Sequence, residues 1–205
     1  MRVRKRKRFQ FFIVLLLLGI LLILFAAVLF LRLRGSVALK PSKLELSAKS
    51  ITAYRQDEAA WADDLLGESS YTMASSGCLV TCIASAVSME TGTAITPGSL
   101  NAIFSENHVY DSEGNIQWAA LEALEGFTAD VGQEVSQPAL DACLAAGHAP
   151  IVRVRMHGLG SFHYVLIVGA EAGDYICMDP LADSLTKLSD YLGRVYAVRV
   201  VSCRS

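Results

Sequence analysis

Residues 75–92 of this 205-residue chain read SSGCLVTCIASAVSMETG. Small and apolar residues recur there at the spacing of a helix that is buried on most sides. Serine and glycine before Cys78 are typical helix N-caps, and Thr91-Gly92 is typical of a helix end. The pattern therefore predicts a buried helix that begins at Cys78 and places this thiol in its first turn.

The character of the sequence changes on the C-terminal side of this helix. Apolar periodicity and Pro, Ser and Gly signals predict three more helices, at 97–104, 116–124 and 137–146. β-rich runs bounded by Gly, Pro or Asp then predict four strands, at 149–155, 162–169, 174–179 and 194–201. The turn at 171–174 joins two of these strands in an antiparallel hairpin. Helices followed by strands predict an α+β domain.

An apolar segment precedes this domain. Residues 11–31 are 21 consecutive residues without a charge, and a helix of that length is about 32 Å long, enough to cross a bilayer. Six Lys/Arg lie before the segment, whereas only Arg32 and Arg34 follow it closely. This bias predicts a cytoplasmic N-terminus and an extracellular domain.

A cleaved signal peptide is the alternative interpretation of the same segment. Its apolar region would normally span about 7–15 residues and end at a small-x-small site. The nearby triplet Ser36-Val37-Ala38 lies beyond two arginines, so we expect an uncleaved anchor. The predicted organisation is a basic tail (1–8), a transmembrane signal-anchor (9–34), a stalk with little fixed structure (35–50) and one domain (51–205).

The charges divide at the same boundary. Residues 1–34 carry eight of the 18 Lys/Arg and none of the 20 Asp/Glu, so the remaining 171 residues have a net charge of −10. This balance excludes a nucleic-acid binder that uses a basic surface. The expected partners are the membrane, through the N-terminal helix, and a peptide or protein substrate, with no nucleic acid.

Five cysteines follow the anchor, and an odd number leaves at least one outside any internal disulfide. Cys143 and Cys177 are expected to be small buried residues. Cys78 differs because a helix N-terminus favours the thiolate, which is the nucleophilic form of cysteine.

A thiol nucleophile also needs a base, and His163 begins an apolar predicted strand. A lone histidine in such a strand is more often a core residue, but the hairpin brings the strand that ends at Asp179 beside it. A carboxylate there would fix the imidazole tautomer and stabilise its charged form. Asp179-Pro180 is also a common strand-ending turn. The backbone N–H of Cys78 and the side-chain amide of Gln56 are candidate oxyanion donors.

Several short motifs occur together in one order. They are Gln56 with Trp61, Ser76-Gly77-Cys78 with Thr81, Phe162-His163-Tyr164-Val165 and Met178-Asp179-Pro180. This set resembles the papain-like cysteine peptidases of family 39, which include bacteriocin-processing peptidases, over about residues 51–201. The resemblance implies a papain-like fold with an N-terminal helical part and a C-terminal antiparallel sheet. Cys78 would be the nucleophile, His163 the general base and acid, Asp179 the orienting residue and Gln56 the oxyanion donor, with a thioester intermediate.

The chain resembles a stand-alone, exported branch of that family, since it lacks the fused transporter of the leader-processing members. Cleavage of double-glycine leaders is therefore not implied. A peptidoglycan amidase or endopeptidase and a non-catalytic anchored binding module are the alternative functions.

Two further interpretations concern single residues. A zinc site made by Cys78, Cys82 and His163 is a weak alternative, and we expect no cofactor or metal. His157, in a glycine-rich loop, is a competing candidate for the base.

Overall fold

The computed structural model describes residues 2–42 and 51–203, with side chains from residue 10 onward. The chain contains both helices and strands. It divides into two compact units, and the boundary between them in the sequence lies between Gly35 and Ser36. The predicted α+β class is confirmed for the second unit.

The first unit is helix α1, Arg2–Leu33. Its segment Gln10–Leu33 has 24 residues and a mean hydropathy of 3.4. Among the residues that the structure describes, this is the one helix long and apolar enough to cross a membrane. The predicted apolar helix is thus confirmed, and its orientation and cleavage stay predictions.

The second unit contains five helices in its described part. They are α2 (Met73–Ser76), α3 (Cys78–Thr91), α4 (Pro97–Glu106), α5 (Trp118–Ala123) and α6 (Gln137–Ala145). Helix α3 has the predicted bounds, and Gly92 ends it in the left-handed conformation at φ 68°. Gly77 joins α2 to α3, and a Cβ atom there would lie 2.5 Å from the Met73 carbonyl oxygen. A side chain at this position would therefore push the two helices apart.

The strands of this unit form two antiparallel sheets. They are β1 (Val37–Ala38), β2 (Phe127–Asp130), β3 (Ile151–Arg155), β4 (Phe162–Glu171), β5 (Asp174–Met178), β6 (Thr186–Lys187), β7 (Arg194–Val195) and β8 (Ala197–Cys203). The larger sheet has the order β2-β8-β3-β4-β5-β6, and β1 pairs with β7. Two 3₁₀ turns, Met156–Gly158 and Leu188–Tyr191, lie between strands.

Apolar side chains cover both faces of the larger sheet. One cluster joins α3 and α4 to the face that carries Ile151 and Leu166. The other joins α6 and the second 3₁₀ turn to the face that carries Val152 and Val165. Each fully buried aliphatic side chain contributes about 1.5–3 kcal/mol, so the first cluster fixes α3 against the sheet.

Three expectations about the elements are corrected. The helix predicted at 116–124 is shorter, because Ile116 pairs instead with Tyr110 in an isolated β-bridge. The strand predicted at 194–201 is two strands, and β2 and β6 were not predicted. The stalk prediction is wrong for residues 37–39, because β1 pairs with β7 and Leu39 is buried. Residues 43–50 of that stalk lie outside the described residues.

The β4–β5 hairpin has the predicted turn and one irregularity. Ala172 and Gly173 have φ values of 51° and 78°, as in a tight hairpin turn. Glu171 pairs with Asp174, but beyond a bulge at Val168 the register changes and Leu166 pairs with Met178. Continued toward the strand ends, the shifted register puts His163 and Asp179 on the same face. The original register would put them on opposite faces, because side chains alternate along a strand.

The Gly77→Ala substitution tests the junction of α2 and α3. We expect it to lower the free energy of unfolding by about 1–3 kcal/mol, because the new methyl group overlaps the Met73 carbonyl. Denaturant unfolding of the full chain in detergent, followed by Trp61 and Trp118 fluorescence, measures the change. Ser76→Ala, at the adjacent exposed position, is the control and should be nearly neutral. Equal stabilities of the two variants would contradict this packing.

Candidate active site

Cys78 is the first residue of α3 and is half-buried. The Gly77 N–H donates to the Met73 carbonyl, and helix bonding resumes where the Thr81 N–H donates to the Gly77 carbonyl. Among the described residues, the Cys78 N–H has no backbone acceptor. This donor is therefore available to an oxygen atom that lies beside the sulfur.

His163 and Asp179 form a buried pair. The His163 Nε2 atom lies 2.7 Å from Asp179 Oδ1, and the two side chains are only 4% and 7% exposed. The Leu181 N–H donates to Asp179 Oδ1 at 2.8 Å, and the Tyr191 hydroxyl donates to Oδ2. Both carboxylate oxygens therefore have donors, and the imidazole is held in one orientation.

Cys78 completes a three-residue arrangement with this pair. Its side chain lies close enough to act on the pKa of His163, and Nδ1 is the ring nitrogen that Asp179 leaves unoccupied. Burial lowers the pKa of His163, but the hydrogen bond to Asp179 and the interaction with Cys78 outweigh it and raise the pKa to about 9. The imidazole is therefore protonated at neutral pH.

The electrostatics of Asp179 complement those of the ring. Burial raises the pKa of this carboxyl group, but the hydrogen bond and charge of His163, with the Tyr191 and Leu181 donors, bring it below its usual value. Asp179 is therefore a carboxylate opposite a cationic imidazole. The structure thus brings Cys78, His163 and Asp179 together, and their catalytic roles stay predictions.

Gln56 is bonded to both chain segments that carry the site residues, the one just before Cys78 and the one just after Asp179. Its backbone N–H donates to the Pro180 carbonyl at 3.0 Å, and its Nε2 donates to the Ala74 carbonyl at 2.7 Å. The side chain is buried, and Oε1 has no partner among the described residues. One amide hydrogen is thus committed to Ala74, one turn before Cys78, and the predicted role of Gln56 as an oxyanion donor stays a prediction. No hydrogen bond joins Gln56 to Cys78 within the described part of the chain.

A pocket of about 180 Å³ opens beside the Cys78 sulfur. Its wall consists of α3, a loop, Trp118 and Tyr164, and none of its lining side chains is charged. They are Leu66, Ser76, Cys78, Leu79, Val80, Gly114, Asn115, Ile116, Trp118 and Tyr164. The pocket suits a compact, uncharged group next to the reacting bond.

Cys82 has a structural position one turn after Cys78. It is fully buried, and its thiol donates to the Tyr164 carbonyl at 3.5 Å. Burial, with a contribution from Cys78, raises its pKa well above the usual value, so it stays a thiol and packs α3 against β4. In the part of the chain whose side chains are described, no three His, Cys, Asp or Glu residues could hold a metal.

The remaining sequence candidates lie elsewhere. His157, the competing base, is exposed on the first 3₁₀ turn at φ 49°. Cys177 is buried as predicted, whereas Cys143 is only half-buried.

Tyr191 was missed by the sequence analysis, because a tyrosine twelve residues after Asp179 carries no local signal.

No family model, curated protein or solved structure matches this chain.

The pKa of His163 predicts a pH dependence of stability. Its folded value, about 9, lies above the unfolded value of 6.5. The imidazolium therefore contributes fully below pH 6.5, and the contribution is lost as the pH rises through about 9. We expect a loss of at most about 3 kcal/mol in denaturant titrations between pH 6 and pH 9.5.

His163→Gln should remove most of this pH dependence, because the titrating group is gone. His157→Gln, at an exposed histidine, should leave it unchanged. The same slope in wild type and His163→Gln would exclude His163 as its source.

Proposed function

We propose that this chain is a membrane-anchored, extracellular cysteine peptidase-like hydrolase that cleaves peptide or related amide bonds. The observation that carries the proposal is the buried His163–Asp179 hydrogen bond with Cys78 close enough to act on the pKa of the ring, at a helix start beside an uncharged pocket. A thiol, a base and a carboxylate that orients the base are the parts that nucleophilic acyl transfer requires.

The first half of the reaction forms a thioester. With the thiol proton held by His163, the Cys78 sulfur attacks the carbonyl carbon of the substrate. The Cys78 N–H and the second Gln56 amide hydrogen stabilise the oxyanion that develops. The C–N bond then breaks, and His163 gives its proton to the leaving amine.

The second half returns the enzyme to its starting state. His163 takes a proton from water as the oxygen attacks the thioester carbon. The C–S bond breaks, the carboxylic acid leaves, and the sulfur is released as the thiolate beside the protonated His163. Asp179, held by Tyr191 and Leu181, stabilises the imidazolium in both halves.

A papain-like fold and an extracellular location are parts of this proposal. A cysteine on the N-terminal helical part and a histidine and an aspartate on the C-terminal antiparallel sheet support the fold. The excess of Lys/Arg before the apolar helix supports the location.

Alkylation of the native full chain tests the nucleophile. We expect iodoacetamide at neutral pH to modify Cys78 faster than Cys143 or Cys203, because burial raises the pKa of both other thiols. Peptide mapping by mass spectrometry measures the rates. If iodoacetamide does not alkylate Cys78 in the folded chain and reacts with it only after unfolding, the proposal is contradicted.

A substitution then separates catalysis from binding. Cys78→Ala should lower the hydrolysis of a peptide library by at least about 10³-fold while the fold is retained, and Cys143→Ala should not. Unchanged cellular function of Cys78→Ser would instead favour a non-catalytic binding module. Release of wall fragments from purified peptidoglycan would identify the amidase alternative.

Tyr191→Phe tests the orientation of the imidazole. Loss of the hydroxyl leaves Asp179 Oδ2 without a donor, which costs about 1–3 kcal/mol, and we expect kcat to fall about 10-fold with little change in KM. Steady-state kinetics over a range of pH measure both constants.

Tyr175→Phe is the matched control, because the Tyr175 hydroxyl donates to another carboxylate, Asp141, at 2.6 Å. It should lower stability and leave kcat unchanged. Equal kcat values for the two variants would show that Tyr191 has no positioning role.

A further inference from the structure

Two adjacent strands carry a cationic and aromatic patch on the face of the sheet that reaches the Cys78 pocket. In the β3–β4 register, Arg153 lies opposite Tyr164 and Arg155 lies opposite Phe162. Directly opposed residues share a face, so all four side chains project from the same side. Tyr164 also lines the Cys78 pocket. The patch of Arg153, Arg155 and Phe162 therefore adjoins that pocket.

Phe162 is at the centre of this patch. The guanidinium carbons of Arg153 and Arg155 lie 4.3 and 4.1 Å from its ring centroid. The ring is 46% exposed, so it does not serve to complete the core. The Arg155 Nη1 atom donates to the Gly160 carbonyl at 2.7 Å, so the two arginines beside this ring differ in their partners.

Arg153 is the arginine of this patch whose guanidinium is open to a ligand. Its guanidinium has no hydrogen bond or carboxylate partner among the described residues, and its Nε atom is buried. An arginine without a carboxylate partner among the described residues is unexpected in a unit with twice as many acidic as basic residues. The planar guanidinium is suited to paired hydrogen bonds with a carboxylate.

A third arginine extends the positive charge to the pocket wall. Arg199 pairs with Ile151 across β8 and β3, on the same face as Arg153. Its guanidinium carbon lies 5.5 Å from the ring of Trp118, and Trp118 lines the pocket. Arg199 Nη1 donates to the Val131 and Val198 carbonyls, which hold this charge beside the Trp118 ring.

We propose that Arg153, beside Phe162, is a substrate subsite for a carboxylate close to the scissile amide. This inference rests on the proposed function in taking Cys78 as the reacting thiol. The carboxylate belongs either to an acidic side chain or to the free C-terminus of a peptide. The pocket beside Cys78 then holds an uncharged neighbour of the cleaved bond.

Paired alkylating reagents test the subsite without any need for hydrolysis. Iodoacetate is anionic and iodoacetamide is neutral, and both alkylate thiols. In the full chain in detergent, we expect the iodoacetate to iodoacetamide rate ratio to be higher at Cys78 than at Cys143. The ratio at Cys78 should fall about threefold or more in Arg153→Gln, and added salt should lower it in wild type.

Two variants control for damage to the fold. Arg153→Lys keeps the charge and should retain most of the ratio. Arg194→Gln removes an arginine that instead bonds Ser36, and the ratio should not change. An unchanged ratio in Arg153→Gln would overturn the subsite, whatever the reactivity of Cys78.

Peptides then distinguish the sources of the carboxylate. Peptides with Glu or Gln near the centre, each with a free or amidated C-terminus, are compared as protectants of Cys78 against iodoacetamide. Protection by Glu peptides in both C-terminal forms identifies the side chain, and protection only by free C-termini identifies the α-carboxylate. Both effects should weaken in Arg153→Gln, and equal protection by all four peptides would contradict the proposal.

Discussion

The buried hydrogen bond between His163 and Asp179 is the interaction on which the candidate site depends. Burial of two opposite charges costs several kcal/mol unless each charge has further partners. Tyr191 and Leu181 supply donors to the carboxylate, and the Cys78 side chain helps to raise the pKa of the ring. The pair therefore links three distant segments of the chain, the start of α3, the start of β4 and the end of β5. Loss of any one member leaves a charge buried without its partner.

The geometry of this pair depends in turn on one residue of backbone. Val168 forms a bulge that shifts the β4–β5 register by one position. Without it, the tight turn at Ala172-Gly173 would direct His163 and Asp179 to opposite faces of the sheet. Bulges occur near active sites, where they redirect a side chain at little cost to the rest of the ladder. The shifted part of the hairpin directs His163 and Asp179 to one face, whereas the part next to Ala172-Gly173 keeps the register of the tight turn.

The sequence predicted the features that depend on local patterns. The bounds of α3 follow from apolar spacing and Gly92, and the hairpin follows from the turn at 171–174. Features that depend on distant partners were missed. β1 forms only because β7 offers an edge to Val37 and Ala38, and the hydroxyl of Tyr191 finds Asp179 only after the sheet has closed. The bulge at Val168 is similar, because an apolar residue there fits either register, and only packing on both faces decides between them.

The charges of the second unit act over two ranges of distance. Its net charge of −10 repels an anionic peptide at long range, but at physiological ionic strength this repulsion is screened beyond about 8 Å. Arg153 acts at short range, from the position opposite Tyr164 of the Cys78 pocket. The excess of acidic residues and the proposed carboxylate subsite are therefore compatible. The surface charge slows the approach of every acidic chain, whereas Arg153 discriminates among those chains that have already reached the sulfur.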